Sequence, residues 1–285
     1  MLLAIDVGNT NITVGLFQDQ QLIGHGRIST DGPRTTDEYT ITLRGLLDNL
    51  RQGTRYPSGT RYKLVPGTEE GTWYPLEEID GIVLSSVVPR ATVALRQALK
   101  ALLRPKPYVL GENIQAPVIN RYRIPSQVGQ DRLVDAAAAF SLYGGPVVVV
   151  DFGTAVTVDL VSKRREYLGG VIVPGVEISL EALMNKAALL PRIELKPPHE
   201  LLGRDTVSSM QSGIFFGYSA LCDGIVRRLK ATYAPKGKVV ATGGHADWIA
   251  PFCRTIQVVN PHLTLQGLEL TYRKKKGLDI CQDSL

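Results

Sequence analysis

Cysteine is scarce in this chain: 285 residues hold three, Cys222, Cys253 and Cys281. An odd number without recurring spacing excludes a disulfide framework and a C-x-x-C metal or redox pair, and fits inert thiols in a reducing compartment. The four histidines, His25, His199, His245 and His262, show no metal-ligand spacing. Long apolar runs are missing. The most apolar stretches, such as residues 146–150, fall far short of the ~20 residues of a membrane span. The opening MLLAIDVGNT has neither the basic segment nor the cleavage site of a signal peptide, so a cytoplasmic protein without a membrane partner is expected. Charge of one sign is modest, 32 Lys+Arg against 27 Asp+Glu. Part of the excess is one run, Arg273-Lys274-Lys275-Lys276. No nucleic-acid motif accompanies it, so it reads as a solvated terminal run and no nucleic-acid partner is expected. Walker A, G-x-G-x-x-G, G-x-S-x-G and H-E-x-x-H motifs are all absent, and the nucleotide-binding and hydrolase readings they carry lose ground.

What is present is a 44% hydrophobic chain, long enough to bury a sizeable core. Short apolar runs at 2–5 and 12–17, separated by Gly8-Asn9-Thr10-Asn11, read as strand, turn and strand. Thr35 with Glu38 three residues on forms a capping-box signature, followed by Tyr39, Leu43, Leu46, Leu47 and Leu50 at helical spacing. Residues 52–75 break the pattern and read as a surface insertion. Strands and helices then alternate, which gives a mixed α/β class. Gly169-Gly170 is expected to lead into a strand over 171–173, and Pro174-Gly175 to open a helix through residue 189.

The strongest signal is an internal repeat. Asp6-Val7-Gly8-Asn9-Thr10-Asn11-Ile12-Thr13 aligns with Asp151-Phe152-Gly153-Thr154-Ala155-Val156-Thr157, with one gap after the glycine. Each copy follows an apolar strand and opens another, and the copies lie about half the chain apart. A carboxylate at a strand end can hold a cation. Glycine admits a phosphate close to the backbone, and hydroxyls, amides and free N–H groups bind its oxygens. Either copy alone reads as an ordinary hairpin; the pair favours a polyphosphate site.

The duplicated hairpin and Thr242-Gly243-Gly244 resemble the actin-like ATPase superfamily of sugar kinases, Hsp70 and actin. More narrowly, DVGNT at Asp6–Thr10, SSVVP at Ser85–Pro89, GQDR at Gly129–Arg132, DFGTA at Asp151–Ala155 and GGVIVPG at Gly169–Gly175 resemble, in order, the motifs of type III pantothenate kinases. The resemblance spans nearly the whole chain apart from 52–75 and the last ten or so residues. It implies two related ribonuclease H-like (actin-like) α/β domains, 1–120 and 121–285, with the active site in the cleft between them. It implies ATP binding by Asp6, Val7, Gly8, Asn9, Thr10, Asn11, Ile12, Thr13 and Thr154, with Asp6 beside the Mg2+ of the nucleotide. Asp131 is implied as general base, and Tyr122, Gly129, Gln130, Asp131, Arg132 and Thr206 as pantothenate contacts. Asp151 is implied as ligand of a monovalent cation, K+ or NH4+, and the assembly as a homodimer. Gln130 stands where the family commonly has alanine. Taken singly, Asp131 reads first as a helix cap and Arg132 as a surface ion pair. A kinase of another small alcohol and a non-enzymatic regulator on the same fold are the alternatives.

Overall fold

The computed structural model describes residues 1–30, 32, 34–52, 63–64 and 76–278. The first apolar runs form an antiparallel meander of β1 (Leu2–Val7), β2 (Asn11–Gln18) and β3 (Gln21–Ser29). There follow α1 (Thr36–Gln52), β4 (Lys63–Leu64), β5 (Gly81–Ser86), α2 (Pro89–Leu102) and β6 (Tyr108–Val109). The 52–75 insertion falls largely outside the described residues.

The chain continues with β7 (Ile119–Asn120), α3 (Gln130–Tyr143), β8 (Val147–Phe152), β9 (Ala155–Val161), β10 (Glu166–Pro174) and α4 (Val176–Lys186). It ends with α5 (Thr206–Tyr233), β11 (Lys238–Thr242), α6 (Ala246–Ile249), β12 (Val258–Val259) and α7 (Leu263–Lys276).

The sheets are ordered β4-β3-β2-β1-β5-β6 and β12-β11-β8-β9-β10-β7. Without the edge strands β4 and β7, both have one topology: an antiparallel meander whose first strand also pairs in parallel with a fourth, which pairs in parallel with a fifth. The repeat seen in the motifs is thus a repeat of whole sheets. The chain divides into two compact units, one of residues 1–117, 126–134 and 264 onward, the other of 118–125 and 135–263. Domains of 1–120 and 121–285 would need one crossing of the chain, whereas these units need four.

In the first unit, alternation puts Leu3, Ile5 and Val7 of β1 on one face with Ile12, Val14 and Leu16 of β2 and Ile82 and Leu84 of β5. Tyr39, Leu43, Leu46 and Leu47 of α1 and Leu95 and Leu99 of α2 join that cluster. Each such aliphatic side chain contributes about 1.5–3 kcal/mol by leaving water. The capping box forms: the Thr35 N–H donates to Glu38 Oε2 at 2.7 Å, and the Glu38 N–H donates to Thr35 Oγ1 at 3.2 Å. Pro89 occupies the start of α2, where a missing N–H costs nothing. On the opposite face Gly15 and Gly81 leave room for Leu265 and Tyr272 of α7.

In the second unit, Val148, Val150 and Phe152 of β8, Val156, Val158 and Leu160 of β9 and Val239 and Ala241 of β11 cluster with Val176 and Leu180 of α4 and Phe215, Cys222 and Val226 of α5. Asp205 caps α5, accepting from the Ser208 N–H at 2.9 Å, and this holds its carboxyl below the usual range. Within α5, the buried Asp223 accepts from the N–H groups of Arg254 and Thr255 and from the Thr255 hydroxyl. Cys222 and Cys253 are reduced, and their mutual hydrogen bond with burial pushes the Cys253 thiol far up.

Two local expectations change. Gly169 and Gly170 lie inside β10, at a bulge next to Tyr167, because β9 supplies ladder partners for both. The helix after Gly175 stops at Lys186, and Ala187 turns extended.

Candidate active site

The first motif turn is built by its own backbone and by the residue after β3. The Gly8 N–H donates to Asn11 O at 2.9 Å. Thr30 then buttresses it: its hydroxyl donates to Gly8 O at 2.8 Å and its N–H to Thr10 O at 2.9 Å. Asp6, next to last in β1, is half-buried, opposite Thr13 on β2 and Ser85 on β5. Val7 and Ile12 are fully buried, so their side chains hold the hairpin to the core. Asn9 is exposed, with Gly8, Thr10 and Asn11 half-buried around it. What this turn offers a ligand is backbone amides, hydroxyls and one carboxylate, the donor set suited to a Mg2+-bearing polyphosphate.

In the same unit, Gly129, Gln130, Asp131 and Arg132 lead into the first turn of α3. Asp131 is therefore in the helix rather than at the residue before it. Its Oδ1 accepts from the Arg132 N–H at 2.8 Å, and the N-terminal dipole favours the ionised carboxylate. Gly129 lies against the Asp131 carboxylate, which a Cβ there would displace. The Gln130 side chain packs over Gly111, with its Oε1 buried and making no hydrogen bond among the described residues.

The second motif turn, in the other unit, is shorter. The Gly153 N–H donates to Ala155 O at 3.2 Å. Asp151 pairs with Thr157 on β9 and Thr242 on β11. Gly175, the residue after β10, sits so close to the Thr154 and Gly153 carbonyls that a Cβ would overlap them. The Tyr218 hydroxyl of α5 fixes that corner, 2.9 Å from Pro174 O, 3.0 Å from Gly175 O and 2.6 Å from Ser179 Oγ. Gly243, at φ 94°, closes on the Asp151 carboxylate and on the Phe152 backbone. This all-oxygen setting, with a carboxylate enclosed by glycines, suits a hard cation. Thr154 is exposed at the tip of the turn.

Tyr122 lies in the second unit, its ring 3.5 Å from where a Gly169 Cβ would stand and 6.3 Å, centroid to centroid, from Tyr167. The Tyr167 hydroxyl donates to Asp159 Oδ1 at 2.7 Å, and the Thr157 hydroxyl to Asp159 Oδ2 at 3.0 Å. A buried network therefore runs from the motif threonine to the packing partner of Tyr122. Thr206 is exposed in the first turn of α5, and Asp205 is the cap.

Residues that motif reading missed are Thr30, Asp159, Tyr167 and Tyr218; Ser85 stood within a motif, but its place opposite Asp6 was not read. His245, set aside in the sequence, places Nε2 3.1 Å from Glu177 Oε1 and donates its backbone N–H to Phe152 O at 3.2 Å. The signal for Thr30 was its place directly after the third strand, the place Gly175 holds in the second half.

Comparison with known proteins bears on this arrangement. A sequence profile described as type III pantothenate kinase matches residues 2–228. A protein of that name from Halalkalibacterium halodurans is 43% identical over 274 residues, 96% of this chain and 99% of that one. Another from Moorella thermoacetica is 43% identical over the same shares. Among solved structures, a Baf family protein from Campylobacter jejuni described as a transcriptional activator superposes with a TM-score of 0.56 at 17% identity, over 96% of this chain and 99% of that one. Ethanolamine utilization protein EutJ from Carboxydothermus hydrogenoformans gives 0.52 at 15% identity, over 94% and 89%. At such identities the structures share the fold, while the sequence matches reach further. The chain belongs to the type III pantothenate kinase family.

Proposed function

We propose that this protein transfers the γ-phosphoryl group of ATP to the primary alcohol of pantothenate, giving 4'-phosphopantothenate at the entry to coenzyme A synthesis. The observation that carries the reading is the family match over nearly the whole chain, joined to a carboxylate hairpin repeated in the same register in both halves.

Phosphoryl transfer asks a protein mainly for positioning and charge stabilisation. In this reading the amides and hydroxyls of Gly8 through Thr13, with Thr154, hold the phosphates, and Asp6 holds the nucleotide's divalent ion. That ion, Mg2+, supplies charge neutralisation to the phosphate oxygens when bound. Arg132 pairs with the pantothenate carboxylate, while Gly129, Gln130, Tyr122 and Thr206 shape its pocket. Asp131 accepts the alcohol proton as the oxygen bonds to the γ-phosphorus and the bond to the ADP oxygen breaks. The Asp151 cradle takes a K+ or NH4+ ion.

A homodimer is part of the proposal. It is supported by apolar side chains standing in solvent on the second unit: Leu168 is 41% exposed, Ile172 60% and Ile178 46%. Among the described residues no helix is long and apolar enough to cross a membrane.

A coupled ADP-release assay tests the function. ATP turnover should require pantothenate, and a panel of sugars and polyols should not replace it. Turnover independent of pantothenate would remove the reading. Asp131→Asn should lower kcat about 10²–10⁴-fold with pantothenate binding retained. Substantial residual turnover would remove Asp131 as base.

A further inference from the structure

Each half carries a carboxylate one residue before the end of its first strand and flanks it with hydroxyl residues on both neighbouring strands. The rows are Thr13, Asp6, Ser85 in the first sheet and Thr157, Asp151, Thr242 in the second. Residues directly opposite across a ladder project to the same face. Each row therefore presents hydroxyl, carboxylate, hydroxyl side by side.

The two rows are committed differently. In the second, the Thr157 hydroxyl already donates to Asp159. In the first, Ser85 is 0% exposed, yet its Oγ makes no hydrogen bond among the described residues. The next residue shows what an engaged serine looks like here: Ser86 Oγ accepts from the Val88 N–H at 3.0 Å and lies 2.6 Å from Thr92 Oγ1. A buried hydroxyl without a partner is unfavourable, and alanine would fill the place without that penalty. A sequence that keeps serine there holds a donor in reserve, one strand from the carboxylate assigned to the metal-bearing nucleotide.

We infer that Ser85 is a positioning residue for Asp6: its hydroxyl donates to the Asp6 carboxylate when the metal–nucleotide complex binds, fixing which carboxylate oxygen faces the ion. The inference rests on the kinase reading above. Outer partners of metal-binding carboxylates act this way, and losing one lowers metal affinity about 10–100-fold.

The test titrates wild type, Ser85→Ala and Ser85→Thr with a non-hydrolysable ATP analogue, with and without Mg2+, by calorimetry, and records each melting temperature. Ser85→Ala should bind the Mg2+ complex about 10-fold more weakly, bind the metal-free analogue as wild type does, and melt at the same temperature or higher. Ser85→Thr, which carries the hydroxyl that the second half has at Thr242, should retain Mg2+-dependent binding. An unchanged Mg2+ response in Ser85→Ala would overturn the inference, as would an equal loss with and without Mg2+. A clearly lower melting temperature would make Ser85 structural and overturn it too. Wild-type protein that binds no analogue at millimolar concentration would sink the kinase reading and this inference together, whereas a failure confined to the variants leaves the kinase reading standing.

Discussion

The two motif hairpins share a register and differ in how they are held. In both, an aspartate next to last in the first strand faces a threonine on the second, and the residue after the third strand buttresses the turn. In the first half that buttress is Thr30, acting through two hydrogen bonds to a three-residue turn. In the second it is Gly175, acting by contact so close that no side chain fits, against a turn one residue shorter. Hydrogen bonds, one from the Thr30 hydroxyl and one from its backbone N–H, leave room for the first turn to adjust to a ligand. Backbone contact without space does not. Under the proposed roles, the adjustable hairpin would take the arriving nucleotide and the rigid one the small ion.

Exchanging each aspartate for its amide breaks the comparison most directly. If Asp6 holds the nucleotide's metal as proposed, Asp6→Asn should lower kcat about 10²–10³-fold, the loss typical of one electrostatic stabiliser. Asp151→Asn should act through the cation: activation by K+ over Na+ should disappear, with a smaller fall in kcat. Steady-state rates in K+ and Na+ buffers measure both. If Asp151→Asn still responds to K+, or Asp6→Asn loses less than Asp151→Asn, the division of labour between the hairpins is wrong.

Glycine-to-alanine changes separate rigid from adjustable in stability. Gly243 sits at φ 94°, and its Cβ would enter the Asp151 carboxylate and the Phe152 backbone. Gly243→Ala should cost about 1–3 kcal/mol through strain and overpacking. At Gly8 the nearest obstacle to a Cβ is Asn11 O at 3.1 Å, so Gly8→Ala should stay within about 1 kcal/mol of wild type. Urea midpoints compare the two directly, and equal losses would contradict the contrast.

Acid should reveal a second asymmetry. Asp223 lies buried in α5 of the second unit. Burial raises its pKa, but the hydrogen bonds from Arg254 and Thr255 outweigh that and hold the carboxyl below its usual value. A carboxylate depressed on folding contributes stability above its unfolded pKa of about 4, and that contribution is lost as pH falls through the folded value. Asp223→Asn should therefore cost about 1–3 kcal/mol at neutral pH, and its melting temperature should converge with wild type as pH drops below about 4. A gap that persists undiminished at pH 2 would show that shape rather than charge sets the effect.

Much of this was legible in the sequence, and what was not has a physical reason. The Asp6–Thr13 and Asp151–Thr157 pairings follow from local strand–turn–strand spacing, and the structure pairs those residues. The capping box at Thr35 is equally local. Ser85 and Thr242 were not readable as partners of the carboxylates, because they reach them across parallel pairings with strands far along the chain. The G-G…P-G motif was visible but its purpose was not: Gly169 takes a φ of 126° and Gly175 admits the second turn, and neither a positive φ nor a close approach is reported by periodicity. The helix α7 was not read in the sequence, and its place in the first unit had no local signature.

The smallest expected effect concerns the capping boxes, one in each unit. Thr35 and Asp205 both cap by reciprocal hydrogen bonds, and the first box has a redundancy. The Glu38 carboxylate takes the residue-35 N–H at 2.7 Å, a bond to backbone that survives any side chain at that position. Thr35→Ala should then cost about 1 kcal/mol or less, roughly 2–4 °C in melting temperature for a chain of this size, with no change in kcat. Glu38 would lose the Thr35 hydroxyl as a donor but keep its backbone partner, which is the leading cause of its lowered pKa. Hydrogen exchange confined to the first turn of α1 should quicken while the rest of the helix, buried through Tyr39, Leu43 and Leu47, stays protected. Faster exchange along the whole helix would show that the cap, and not the apolar face, holds α1 on its sheet.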